Sequence, residues 1–258
     1  MFALVRSKGL MRAAMGVRAA STAVARLPHK EALRSVTQDI RWSFKELNAS
    51  VDELANGFLD LQFERGDVVA VKASGLVFEP KQAGRNQIEI VQGLFPELAT
   101  FRERMEVFRP KNFRHLHSVI TTSWEPVEGM INLNGMMVNS PEPYAMKAVT
   151  KTLNDKTPLA VTYSKVEGQN PKKSAVLTHG DLLKRAETLA KSLNLTATDK
   201  ILLTGEETGL SLGPLAAIGQ SAQVVLPSSE FSHEAVQQAM KVENCSIVGS
   251  GLENFKRV

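Results

Sequence analysis

The chain has 258 residues, 43% hydrophobic and 22% charged, which supports a substantial core in one large or two small domains. Its apolar tracts are short, Val68 to Val71 being typical, and none approaches the roughly 20 residues that cross a bilayer as a helix, which argues against an integral membrane protein. The formal charge of +4 is unevenly placed: six of the 31 basic residues precede residue 31, leaving 25 against 27 acids in the remainder.

The N-terminal segment holds Arg6, Lys8, Arg12, Arg18, Arg26 and Lys30, no acid before Glu31, and many Ala, Ser and Met. Basic residues recurring through an acid-free segment are the composition of a mitochondrial transit peptide, whereas a secretory signal needs one basic cluster and then a continuous apolar core. Residues 1–30 are therefore read as such a leader, with Arg18-Ala19-Ala20-Ser21 as a processing point. The competing reading is a basic arm for nucleic acid. The body offers no aromatic-interleaved Lys/Arg face, so no nucleic-acid partner is specifically indicated. The densest basic sites, Arg102 to Arg114 and Lys172-Lys173, read as solvated surface.

A helix opens the body. Ser43 and Glu46 have capping-box spacing, Trp42 and Leu47 stand at the positions of a hydrophobic staple, and the helix is placed to start near Phe44. Leu47, Val51, Leu54, Phe58 and Leu61 then recur at helical spacing as its packing face. Arg65-Gly66-Asp67 reads as a turn and Val68 to Val71 as a buried strand. Trp42-Ser43-Phe44, Glu46-Leu47, Leu54-Ala55 and Gly66-Asp67-Val68-Val69-Ala70-Val71 together resemble the N-terminal helix and first strand of the acyl-CoA synthetase and adenylate-forming (AMP-binding) enzymes. These are structural residues, so the resemblance speaks to fold and ancestry.

Residues 75–150 diverge from that pattern. Gln87 to Gly93 corresponds to an eroded helix after the first strand, and Leu98, Phe101, Met105 and Phe108 define an amphipathic helix opened by Pro96 or its neighbours. His115 and His117 alternate around Leu116 as on one side of a strand, without a third ligand for a metal. Asn134-Gly135 between apolar runs is a type I′ hairpin signal, and Ser140-Pro141-Glu142-Pro143 reads as a linker.

The second match runs from Pro158 to Gly251. Leu159 to Tyr163 is strand-like, and a loop leads through Pro171-Lys172 to Ala175-Val176-Leu177-Thr178-His179-Gly180-Asp181. Leu182, Ala186, Leu189 and Leu193 form a helical stripe. Ile201 to Leu203, Gln223 to Leu226 and Ser246 to Val248 read as strands, with helices at Pro214 to Gln220 and Glu234 to Val242 between them. That alternation predicts an α/β layer with a mostly parallel sheet flanked by helices. The resulting organisation is a leader at 1–30, an N-terminal AMP-binding-like subdomain at 31–150 with its divergent segment at 75–150, and an α/β subdomain at 151–258.

In the resembling family the loop before Pro-Lys cradles phosphates, because glycines let N–H groups converge on the anion while hydroxyls and a lysine add donors. Counted from Pro171-Lys172, the family's glycine positions fall on Val166 and Gln169, and its hydroxyl positions after Ser164 fall on Lys165, Glu167 and Gly168. Ser164, Gly168 and Lys172 are what remains of the loop. Val166 resists the positive φ that glycine tolerates, and Glu167 sets a carboxylate against phosphate at about 4 kcal/mol per like-charge pair at 4 Å and an effective dielectric near 20. Lys165 and Lys173 could restore some anion affinity.

The chain reaches Val258 before the family's acidic magnesium motif, its ribose-binding aspartate and its catalytic C-terminal lysine. The resemblance accordingly carries over no catalytic residue, no metal ligand and no cofactor. Asp199, Glu206 and Glu207 are the carboxylates that could be offered to a metal, and solvation in a loop accounts for the latter two. The single cysteine, Cys245, excludes an internal disulfide and a Cys-based zinc cluster, and its place before Ser246-Ile247-Val248 reads as packing. Apolar faces and strand edges that the missing half of the fold would cover imply a partner protein.

The leading expectation is an inactive accessory or structural subunit of a mitochondrial complex (ATP synthase, respiratory complex or mitochondrial ribosome), in the matrix or on the matrix side of the inner membrane. Membrane association would then run through partners. The alternative is a regulatory module binding CoA, an acyl chain or a nucleotide. An active acyl-CoA ligase is the third reading.

Overall fold

The computed structural model describes residues 23–63, 74–82, 84–101, 108–137, 144–164, 172–204, 211–228, 232–250 and 252–258. The turn at Arg65-Gly66-Asp67, the strand at Val68 to Val71 and the linker at Ser140 to Pro143 lie outside them.

Chain order begins with a hairpin, β1 (Glu31–Ser35) and β2 (Ile40–Ser43), that runs directly into α1 (Phe44–Asp60). The expected capping box is formed. Ser43 Oγ accepts from the Glu46 N–H at 3.3 Å and the Glu46 carboxylate accepts from the Ser43 N–H at 2.8 Å, so the helix starts at Phe44. Its stripe divides between two cores. Phe44, Leu47 and Val51 enter the larger one, whereas Leu54, Phe58 and Leu61 turn towards a second.

That second region carries β3 (Gly75–Phe78), the short pair β4 (Lys81–Gln82) and β5 (Arg85–Asn86), and α2 (Gln87–Leu94), where a helix was expected. Of the helix expected from Pro96 onwards, the described residues show a four-residue 3₁₀ turn, Pro96–Ala99, and residues 102–107 lie outside them. Phe101 follows it outside any helix and still packs with Leu98 and Phe108, Met105 lying outside the described residues. Next come β6 (Ser118–Thr121) and β7 (Ile131–Asn132), which pair in parallel in the order β3-β6-β7. Val119 faces the cluster of Val91, Phe95 and Leu98, and Ile120 faces that of Leu54, Leu133 and Met136.

Two expectations fail in this region. Asn134-Gly135 makes no hairpin, because a type I′ turn needs positive φ at both residues and neither has it. Instead Ile131–Asn132 runs parallel to β6, and the turn after it sends Leu133 and Met136 into the core against Leu54. His115 and His117 precede the strand. His115 is exposed in a turn, while the His117 ring packs at a tilt of 57° against Phe63, with ring centroids 4.7 Å apart.

The remaining elements are α3 (Tyr144–Thr152), β8 (Pro158–Ser164), β9 (Lys172–Thr178), α4 (His179–Ser192), β10 (Lys200–Leu203), α5 (Leu212–Gly219), β11 (Gln223–Leu226), α6 (His233–Glu243), β12 (Ile247–Ser250) and β13 (Asn254–Arg257). Six strands form one sheet in the order β13-β12-β10-β11-β1-β2. The four central strands are mutually parallel and each edge is closed by an antiparallel strand. The fold is thus α/β with a mostly parallel sheet flanked by helices.

Alternation sorts the side chains. Ile201, Leu203, Val224, Leu226, Ile247 and Leu33 meet α1, α4 and α5 on one face, whereas Leu202 and Val225 meet Ala239 of α6 on the other. Burial on both faces explains the near-continuous apolar strands. The hairpin belongs to the same sheet, since Leu33 pairs with Val224, and an ionic joint secures it. Glu243, ending α6, accepts from Arg34 Nε at 3.1 Å and Lys200 Nζ at 3.3 Å, and Arg34 also donates to Asp39 at 2.7 Å. Burial opposes the charge on Glu243, but these cations outweigh it and hold the carboxyl below its ordinary range.

β13 docks through Phe255, whose ring fills space left by two glycines. A Cβ on Gly213 would stand 2.5 Å from the ring and one on Gly249 2.2 Å from it. Gly213→Ala should therefore destabilise the protein by about 1–3 kcal/mol through overpacking. Phe255→Val should relieve part of that cost, giving a non-additive double-mutant cycle in urea unfolding; strictly additive effects would rule the contact out as the cause.

Candidate functional site

The stretch singled out by its sequence forms a hairpin that leads into a helix. β8 and β9 pair antiparallel with Ser164 opposite Lys172, so the phosphate-loop remnant joins the two ends of the last pair. Lys165, Val166, Glu167, Gly168, Gln169 and Pro171 lie outside the described residues, as do the side chain of Ser164 and the pair Glu206-Glu207. Lys172 and Lys173 are exposed at the mouth of the hairpin.

β9 ends at Thr178, which is the N-cap of α4. Thr178 Oγ1 accepts from the Asp181 N–H at 3.2 Å, and the Asp181 carboxylate accepts from the Thr178 N–H at 3.0 Å. The bond from the Thr178 backbone, helped by its hydroxyl, holds the Asp181 carboxyl below its usual range. The reciprocal pair is a capping box with aspartate in the third position.

A free helix N-terminus is an anion site, because its first N–H groups lack intrahelical partners. Here the first three are taken. His179 N–H donates to Thr157 O at 3.0 Å, Gly180 N–H to Asp155 O at 2.9 Å, and Asp181 N–H to Thr178 Oγ1. The turn before β8 thereby supplies the acceptors that a bound anion would otherwise provide. His179 itself is buried, and burial pushes its imidazole below the ordinary value, against a smaller opposing pull from Asp155. It is neutral at pH 7 and serves packing.

Asp199 is likewise committed. One carboxylate oxygen accepts from Arg257 Nη1 and Ser246 Oγ, each at 2.7 Å. The other accepts from Thr196 N at 2.8 Å, Thr196 Oγ1 at 2.9 Å and Arg257 Nη2 at 3.1 Å. Arg257 Nη2 also reaches the carbonyls of Leu193 and Asn194 at the end of α4. The guanidinium, more than its other donors, holds the Asp199 carboxyl far below the usual range. With five donors on two oxygens, Asp199 is a structural joint and not a metal ligand. No group of three or more His, Cys, Asp or Glu residues suited to a metal occurs among the described residues. The bonds from Ser246 and Arg257 were not visible in the sequence, since Asp199 with Thr196, Ser246 and Arg257 come from three separate segments.

Cys245 is buried beside Ala239, and that burial pushes its thiol up to about 11. A protonated, enclosed thiol is a poor nucleophile.

No family model matches this sequence. Among curated proteins it is 22% identical over 242 residues to the acyl-CoA ligase sidI of Aspergillus fumigatus, a match covering 80% of this chain and 41% of the ligase. Among solved structures it is similar to a putative long-chain-fatty-acid CoA ligase from Rhodopseudomonas palustris, with a TM-score of 0.67 at 13% identity, covering 90% of this chain and 61% of that one. O-succinylbenzoate CoA synthetase from Bacillus subtilis, in complex with AMP, gives a TM-score of 0.61 at 14% identity, again with 90% and 61% coverage. The chain thus spans less than two thirds of each of these proteins. The likeness to solved structures is one of fold.

Two outcomes follow from the committed side chains. Because the folded Asp199 carboxyl titrates far below its unfolded value, its stabilisation is complete above about pH 4 and is lost as pH falls through the acid range. Asp199→Asn should therefore lower Tm by about 4 °C or more at pH 7, with a smaller deficit near pH 3, in calorimetric scans. Cys245 should resist iodoacetamide at pH 8 in the native protein and react on unfolding in urea; native labelling at the rate of a free thiol would contradict its burial.

Proposed function

We propose that this chain, a divergent member of the acyl-CoA synthetase and adenylate-forming superfamily, acts as a catalytically inactive accessory or structural subunit of a mitochondrial multi-subunit complex, such as ATP synthase, a respiratory complex or the mitochondrial ribosome. The observation that carries the reading is the commitment of the first three α4 N–H groups to Thr157, Asp155 and Thr178. A nucleotide site needs donors held ready for an anion, and at this helix start the protein satisfies them itself. Val166 and Gln169 at the glycine positions of the preceding loop, with Glu167 between them, support the same reading. The acid-free, Arg-recurrent segment before Glu31 supports a mitochondrial destination.

The inherited sheet and helices would then serve as a rigid surface. No helix among the described residues is long and apolar enough to cross a membrane. On this reading, membrane association runs through partners. A second reading, a regulatory module for CoA, an acyl chain or a nucleotide, is favoured by one feature: Lys172 and Lys173 are both exposed at the hairpin mouth beside the loop.

Affinity purification from mitochondria, followed by native electrophoresis, separates these readings. The proposal expects comigration with a large complex and stoichiometric companions; recovery of the chain alone would sink it. Titration calorimetry should show no saturable ATP or acyl-CoA binding. Saturable binding abolished by Lys172→Ala would establish the regulatory module instead, and acyl-AMP formation by the isolated chain would restore the ligase.

A further inference from the structure

Residues 23–30, assigned by composition to the leader, are built into the fold. Residues 23–26 are helical; Ala23 is 2% exposed within the larger core, and Val24 packs against the same cluster. Leu27 N–H closes this turn on Ala23 O at 2.9 Å. Two carbonyls further along then complete the start of α1. Phe44 N–H donates to Lys30 O and Lys45 N–H to Pro28 O, each at 2.9 Å. Ser43 Oγ serves the N–H of Glu46, so residues 28–30 provide acceptors for helical N–H groups the capping box does not reach.

Lys30 contributes its side chain as well. Its ammonium donates to Ala197 O, in the loop after α4, and to Ser221 O, in the turn after α5. Carbonyls left open beyond helix ends are suitable acceptors for a cation. A single residue therefore ties the start of β1 and α1 to the ends of two helices from the other end of the chain. Removing residues 23–30 would take away a core side chain, two acceptors at the α1 N-terminus and this cross-tie together.

We propose that removal of the leader stops at or before the bond preceding Ala23, so that residues 23–30 remain in the mature protein as a clasp. The inference rests on the reading of the N-terminus as a leader and narrows it. The step is hydrolysis of one peptide bond by a processing endopeptidase: the C–N bond breaks, and water supplies hydroxide to the new carboxylate and a proton to the new amine. Arg18-Ala19-Ala20-Ser21 lies just ahead of the clasp and meets the bound. A cut there would remove Arg6, Lys8, Arg12 and Arg18 but keep Arg26 and Lys30, leaving 27 basic against 27 acidic residues. The mature chain would then be formally neutral, and Lys30 would be a structural cation, not part of the address.

Mass spectrometry of the N-terminal peptide of the protein recovered from mitochondria tests this. A first residue between 19 and 23 supports it. A first residue at 24 or beyond, in protein that is still mitochondrial, overturns the inference while leaving the leader reading in place; an intact Met1 overturns both. In the full chain, Lys30→Met keeps the apolar stem and removes both hydrogen bonds, so it should lower Tm by about 4 °C or more. An unchanged Tm would show that the clasp carries no stability and overturn that half of the proposal.

Discussion

The parallel pairing of β1 with β11 is the constraint on which the rest of the architecture depends. It joins Leu33 to Val224 and so closes the chain across most of its length. Once β1 lies beside β11, α1 is delivered onto the sheet with Phe44, Leu47 and Val51 against the helices that follow β9 and β10. The far half of the same helix then carries Leu54 into the three-stranded region, where it meets Ile120, Leu133 and Met136. One helix with one apolar stripe thereby serves two cores. The joint of Arg34 with Glu243 and Asp39 fastens the hairpin to the end of α6. Closing so long a loop costs only a few kcal/mol more than closing a short one, because the entropy grows with the logarithm of length.

Among the described residues, the polar groups around the candidate site are committed to one another. A site that binds or transforms a ligand keeps hydrogen-bonding capacity in reserve; a structural joint uses its capacity up. Asp199 receives five donors, Asp181 completes a reciprocal cap, and Glu243 answers two cations at hydrogen-bond distance. His179 is enclosed and neutral. For the buried members, Asp199 and Glu243, low dielectric strengthens the satisfied network and penalises the loss of any partner, so these contacts make the fold rigid. A fold like that of CoA ligases and a set of closed polar contacts are compatible: the first concerns the path of the chain, the second what its side chains are used for.

Legibility in the sequence followed local physics. α1 could be placed to the residue because Ser43 and Glu46 form a signal complete within four positions. α4, β10, α5, β11, α6 and β12 were readable because each apolar run has the period of its element and turn residues punctuate them. β1 escaped notice because Glu31, Arg34 and Ser35 look like surface, although Arg34 is buried by virtue of a partner 209 residues away. β13 was missed for the same reason: Asn254, Lys256 and Arg257 are polar, and its one anchor, Phe255, needs two distant glycines to make room. Asn134-Gly135 misled in the other direction, since a turn signal states what a backbone can adopt and the core decided what it did adopt. At the candidate site, the loop's substitutions were legible, whereas the bonds that occupy the start of α4 come from Asp155 and Thr157, which no motif marks.

Arg257 holds Asp199 and the terminal carbonyls of α4 from a position late in the chain. A chain delivered from its N-terminus, by a ribosome or through a membrane pore, presents α4 and β10 well before their lock arrives. Until then β12 has an open edge, Asp199 lacks its guanidinium, and the end of α4 faces water. The order of delivery therefore separates collapse from locking: the sheet can assemble in stages, but this joint forms only once Arg257 has followed β12 into place.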